Sequence, residues 1–170
     1  MDDFENWLQN EDKRNFDDRL VRLRWLGENL PGNSYWTFHG GRITKYLFEE
    51  ARYCFVYGQY LATIILGLSF IEHTLAALFY ASGRNELEKA SISKLINEAQ
   101  EVKWISKEEF ANLNHAREIR NPIVHFRSPG GKETLEYRSV IENAHPYSLL
   151  ENDASNVMKT VFHLLGKTSV

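Results

Sequence analysis

The stretch from Tyr53 to Ile71 carries no formal charge over nineteen residues, and it sits inside a longer proline-free run from Arg42 to Ala81. A run of that length could just span a bilayer. Gln59, Thr63, Ser69 and two glycines dilute it, however, and Glu72-His73 follow directly before the apolar pattern resumes at Leu75–Tyr80. A membrane helix does not usually hold a carboxylate inside its own apolar stretch. The segment therefore reads as one long helix from about Arg42 to Ala81, ended by Ser82-Gly83 and buried at its middle in a helical bundle, with no membrane partner.

The other elements are arranged around it. Phe16, Leu20, Leu23 and Leu26 fall at helical spacing, with Asn15 as the cap and Pro31-Gly32 as the stop. Residues 33–41 read as a loop. A third helix covers about Ser93–Val102. Ser106-Lys107-Glu108-Glu109 is a capping box, a hydroxyl acceptor with a glutamate three residues on, and opens the next helix. Ser128-Pro129-Gly130-Gly131 is a break, and residues 132–147 fit a short strand or a helical turn equally well. A second capping box, Ser148-Leu149-Leu150-Glu151, opens the last helix, which Gly166 can end. The expectation is an all-α fold of four to five helices, an up-and-down bundle with one long central helix. Residues 1–30 form an N-terminal helix and residues 31–170 the bundle, one domain overall.

Composition removes several function classes. A single cysteine, Cys54, excludes an intramolecular disulfide scaffold and a thiolate zinc site. The acidic start, Met1-Asp2-Asp3-Phe4-Glu5, lacks a basic region before an apolar one and does not read as a signal peptide, and a cytoplasmic location is the expectation. Twenty basic against 23 acidic residues give a net charge of −3, so contact with nucleic acid must come from a local basic cluster. No Gly-rich phosphate loop, His-Glu-x-x-His or Gly-x-Ser-x-Gly pattern is present, and no cofactor or metal is expected.

One cluster stands out: Arg117-Glu118-Ile119-Arg120-Asn121-Pro122-Ile123-Val124-His125-Phe126-Arg127. Pro122 predicts that a helix ends or kinks near Arg120 and that a short turn begins at Pro122 with Asn121 as its cap. The N–H groups freed at that turn would attract an anion. Arg117, Arg120, Arg127 and Lys132 make the stretch basic in an acidic chain. Histidine can move a proton near neutral pH, and a guanidinium offers forked donors to phosphate oxygens. The set suits metal-free phosphoryl transfer from RNA, with His125 moving a proton and Arg120 holding the phosphorane. The same residues also fit a plain half-buried histidine at a helix end and an Arg120 paired with Glu72 or Glu118.

Arg120-Asn121-Pro122-Ile123-Val124-His125 resembles the Arg, polar residue, three spacers, His signature of HEPN domains. The order of helices is similar too: a long apolar helix carrying Glu72 in Phe70-Ile71-Glu72-His73-Thr74-Leu75, a shorter helix, then the helix that leads into the motif. The resemblance covers about Arg42 to Arg127. It implies a compact helical bundle that dimerises, with the motifs of two subunits meeting in one cleft to cleave RNA without metal. Such domains serve toxin–antitoxin and antiviral systems, so an antitoxin or other protein partner is implied as well. Carried over, Arg120 and His125 are catalytic, Asn121 supports them, and Glu72 matches an acidic position of the family, with Arg117 and Arg127 available to bind substrate. One branch of the family places a modified tyrosine two residues after the histidine, and here that position is Arg127. Other HEPN domains are non-catalytic modules that bind a nucleotide, an RNA or a protein.

Overall fold

The computed structural model describes residues 2–32, 36–128 and 130–167. These form seven α-helices and one 3-10 turn, Asn85–Leu87, with no strand among the described residues. The helices are α1 (Asp3–Asn29), α2 (Gly41–Val56), α3 (Tyr60–Ala81), α4 (Ile92–Glu101), α5 (Lys107–Val124), α6 (Leu135–Glu142) and α7 (Pro146–Lys167). The fold is all-α, with seven α-helices where the sequence suggested four to five.

The largest correction concerns the central helix, which is two helices. Gly58 adopts φ +71°, a left-handed conformation that costs glycine nothing. The Gly58 and Gln59 N–H groups return to the Phe55 and Cys54 carbonyls at 3.0 and 2.8 Å, closing the end of α2. The chain reverses in three residues. Gly40 at the head of α2 thus lies against the His73 carbonyl near the tail of α3, where a Cβ on it would sit 3.5 Å away. The two helices are antiparallel neighbours.

α3 is the centre of the bundle and packs most extensively on α2 and α7. By length and composition alone it is apolar enough to cross a membrane. Here, though, Ile64, Leu68, Phe70, Ile71, Leu75 and Phe79 are all buried in the protein's own core. Gly67 lets α7 come close, since a Cβ there would stand 2.5 Å from Val157 Cγ1. Phe48 of α2 is the aromatic hub. Its ring lies 5.5–5.7 Å from Phe38, Trp36 and Phe70 and 6.3 Å from Phe162.

Other boundaries also move. α1 begins at Asp3, not beyond Asn15, because the Asp2 carboxylate accepts the Glu5 N–H at 2.7 Å. Asn15 is then an interior residue whose amide donates to Glu11. Of the apolar set on α1, only Leu26 is buried, while Phe16 and Leu23 are exposed. The box at Ser106 forms as expected: Ser106 Oγ accepts the Glu109 N–H, and Glu109 accepts the Ser106 N–H at 2.6 Å. The box at Ser148 does not form, because α7 starts earlier, at Pro146, a residue whose fixed φ suits a first helical position. Gly166 lies inside α7. Residues 132–147, open between strand and helix, contain α6, capped by Thr134. Of the expected loop at 33–41 and break at 128–131, residues 33–35 and Pro129 lie outside the described residues; the remainder is non-helical up to Gly40, and Gly41 begins α2.

Candidate functional site

α5 carries the Arg-Asn-x-x-x-His motif. Its Leu113, Ala116 and Ile119 face is buried, which fixes the roll of the helix against α3, α4 and α7. Arg117, Arg120 and Asn121 are left half-buried beside that face. The helix end near Arg120 and the new turn at Pro122 that the sequence suggested are absent. α5 runs through Pro122 to Val124, and His125 is its C-terminal cap, with extended backbone and its N–H on the Asn121 carbonyl at 2.9 Å. Pro122 lies in the last turn, so it forfeits a single i→i−4 bond near an end that would fray in any case.

This changes the electrostatics. A new helix start would have offered N–H groups to an anion, whereas the motif sits at the negative, carbonyl end of α5. Phosphate binding here must come from side chains. Among the described residues, neither the Arg120 guanidinium nor the His125 imidazole has a hydrogen-bond or ion-pair partner, so Arg120 pairs with neither Glu72 nor Glu118. His125 is exposed. The Nε of Arg117 is buried without a hydrogen-bond partner. Arg127 is engaged, its Nε donating to Glu133 at 3.0 Å. Glu72 is half-buried on α3, with no hydrogen-bond partner among the described residues.

Two cavities flank the motif, between α5 and the segment leading into α6. One, of about 350 Å³, is walled by Leu61, Pro122, Ile123, Phe126 and Leu150, with the Arg127–Glu133 pair at its rim. The other, of about 330 Å³, is lined by His115, Glu118, Asn121 and Lys132. Arg120 and His125 line neither. Five residues apart, they would lie about 140° around an ideal helix from each other. The motif therefore brings Asn121 and Arg127 to the cavities, but does not converge its arginine and histidine on one pocket of a single chain.

Two charge clusters went unseen in the sequence. Arg138 of α6 grips Asp153 of α7 with two bonds of 2.7 and 3.1 Å. Glu109 receives Lys167 Nζ at 3.1 Å and faces His163 Nε2 at 2.6 Å. Burial pushes the Glu109 carboxyl up, but the Ser106 N–H, Lys167 and His163 outweigh it and hold it below the usual carboxylate range. Arg138 also lines both of the cavities beside the motif. Among the described residues, no group of three or more His, Cys, Asp or Glu side chains is placed to hold a metal ion. Compared with protein-family models, with curated proteins and with solved structures, the chain has no match in any of the three.

Proposed function

We propose that this chain is a metal-independent endoribonuclease of the HEPN kind that works as a pair of identical subunits in the cytoplasm, in a toxin–antitoxin or antiviral setting. The observation that carries the reading is the state of Arg120 and His125. A guanidinium and an imidazole five residues apart, at one helix end, have no hydrogen-bond or ion-pair partner among the described residues, although unpaired guanidinium groups beside a core are costly to keep.

His125 takes the proton of the RNA 2′-hydroxyl, or returns one to the departing 5′-oxygen. Arg120 offers its fork to the non-bridging oxygens of the phosphorane, whose charge would otherwise meet the carbonyl end of α5. Because the two side chains do not share a pocket within one chain, the site is completed by a second copy. Asn121, which lines the 330 Å³ cavity, is proposed to support the site from there. Glu72, Arg117 and Arg127 are proposed to contact substrate or to orient Arg120.

The test uses purified protein with labelled single-stranded RNA, with and without EDTA. Cleavage should persist in EDTA and leave a 2′,3′-cyclic phosphate. His125→Ala and Arg120→Ala should each reduce it by ~10²–10⁴-fold without loss of fold. Activity that vanishes in EDTA, or survives in both variants, would sink the mechanism. A second reading, a non-catalytic helical module binding a nucleotide, an RNA or a protein segment, is favoured by the 350 Å³ cavity at Pro122 and Phe126, which joins apolar side chains to Arg127, Glu133, Glu136 and Arg138 and omits both proposed catalytic groups.

A further inference from the structure

Only part of α1 belongs to the bundle. Trp25 packs on Phe55 with ring centroids 4.9 Å apart, Arg22 Nε donates to the Val56 carbonyl at 2.8 Å, and Arg19 lies 5.0 Å over the Tyr57 ring, where α2 ends. Toward its N-terminus the helix continues past that end, and every residue from Asp2 to Asn10 is exposed. The segment Asp3–Glu11 therefore projects about 13 Å. It carries large apolar side chains into solvent: Phe4 is 84% exposed, Trp7 65% and Leu8 57%. Further along the same helix, Phe16 and Leu23 are also exposed, at 57% and 52%. A solvated helix seldom shows so many large apolar residues without a partner to cover them.

Charge selects the partner. Residues 2–12 hold five carboxylates and no cation, whereas residues 13–24 hold five cations and two carboxylates; Glu11 and Asp12 pair with Arg14 and Arg19 of their own helix and Arg22 bonds the Val56 carbonyl, so the charges left for a partner are Asp3 and Glu5 in the acidic half and Lys13 and Arg24 in the basic half. Two α1 helices laid antiparallel, with a two-fold axis near Lys13, set the acidic half of each against the basic half of the other. The same register brings Phe4 and Leu8 of one helix level along the axis with the exposed Leu23 and Phe16 of its partner, the two pairs lying about 90° apart around each helix. Charge and apolar pattern thus agree on one alignment, and it is self-complementary, as a two-fold interface requires.

We infer that α1 is a pairing arm, and that its occupant is the α1 of a second copy of this chain, antiparallel and centred near Lys13. The arm projects from the end of the bundle that holds the α2–α3 turn. Leu61, just past that turn, shares a cavity with Pro122 and Phe126, so the motif-bearing end of α5 lies at the same end. The inference rests on the two-copy reading above for its dimer but not for its chemistry: Arg19, where α1 meets the bundle, is six residues from the axis in each copy, so the two motif-bearing ends face each other across about 18 Å.

The experiment is the solution mass of the full-length protein at tens of micromolar by light scattering and sedimentation. The wild type should weigh twice 19.8 kDa. Phe4→Ser/Trp7→Ser should weaken the dimer at least about tenfold while the bundle stays folded by circular dichroism, since those side chains are solvated within one chain. Asp3→Lys/Glu5→Lys and Lys13→Glu/Arg24→Glu should each dissociate alone and re-pair when mixed. A monomeric wild type, a dimer indifferent to Phe4→Ser/Trp7→Ser, or charge variants that fail to re-pair would each overturn the arm. RNA cleavage, measured separately, reads the chemistry: a dimer without cleavage sinks the ribonuclease and leaves the arm, whereas cleavage by a monomer sinks the arm.

Discussion

Arg138→Met removes the cation that faces Asp153 while keeping most of its volume. The carboxylate of Asp153 is 4% exposed, and both its oxygens receive Arg138; the Arg138 side chain is 19% exposed and also reaches Glu142 at 3.5 Å. The pair is therefore asymmetric. A stranded Arg138 can turn to water and keep Glu142, but a stranded Asp153 has no such exit. Breaking a buried pair so as to leave an uncompensated charge costs about 3–5 kcal/mol. α6, however, has no buried residue of its own, so it can lift from α7 and re-expose Asp153. That escape limits the loss for Arg138→Met to about 2–4 kcal/mol, while Asp153→Ala should lose about 1–2 kcal/mol. In a domain of this size the first corresponds to a Tm lowered by roughly 5–15 °C. Urea and thermal melts of both singles and of Arg138→Met/Asp153→Ala give the cycle, and the double variant should be no worse than Asp153→Ala. Hydrogen exchange in Arg138→Met should show Leu135–Glu142 opening ahead of the other helices of the bundle. An Arg138→Met variant milder than Asp153→Ala, or both within about 0.5 kcal/mol of wild type, would refute the reasoning.

Three further outcomes are expected. Glu109 titrates below the usual carboxylate range in the folded state, so the folded protein binds fewer protons there; its contribution is full above about pH 4.3 and is lost as pH falls through the folded value. Glu109→Gln should cost about 1 kcal/mol at pH 7 and flatten the acid limb of stability against pH, read by urea melts from pH 7 to 3. Gly58→Ala should cost about 1–2 kcal/mol, because φ is +71° and the new Cβ would stand 2.7 Å from the Tyr147 hydroxyl; a thermal melt reads it. Gly67→Ala should gain about 1 kcal/mol in helix propensity yet lose about 1–3 kcal/mol to Val157 Cγ1, and the same change in a Val157→Ala background should turn favourable.

What the sequence determined by itself was local. The all-helical class, the apolar pattern of residues 60–81 that is the buried α3, the helix at residues 92–101 and the capping box at Ser106 all rest on patterns that close within about four residues. The motif of Arg120 and His125 was legible as a string, and its basic setting as a count. Its geometry was not. Pro122 reads locally as a break, but fourteen residues of α5 come before Asn121, and the buried Leu113–Ala116–Ile119 face holds the helix on line. One lost hydrogen bond in the last turn does not outweigh that packing. Gly58 carried the opposite signal, a lone glycine in an apolar run that helices tolerate. Tertiary structure made it a break, because the Tyr147 hydroxyl donates to its carbonyl at 3.0 Å and Arg22 takes the Val56 carbonyl, satisfying from other helices the groups that a chain reversal leaves open. Likewise, nothing near Arg138 points to Asp153, fifteen residues on, nor anything near Glu109 to Lys167, fifty-eight residues on. Those pairs exist because the packing of α5, α6 and α7 brings them within 3 Å or so, and packing is decided by the whole core rather than by any one segment.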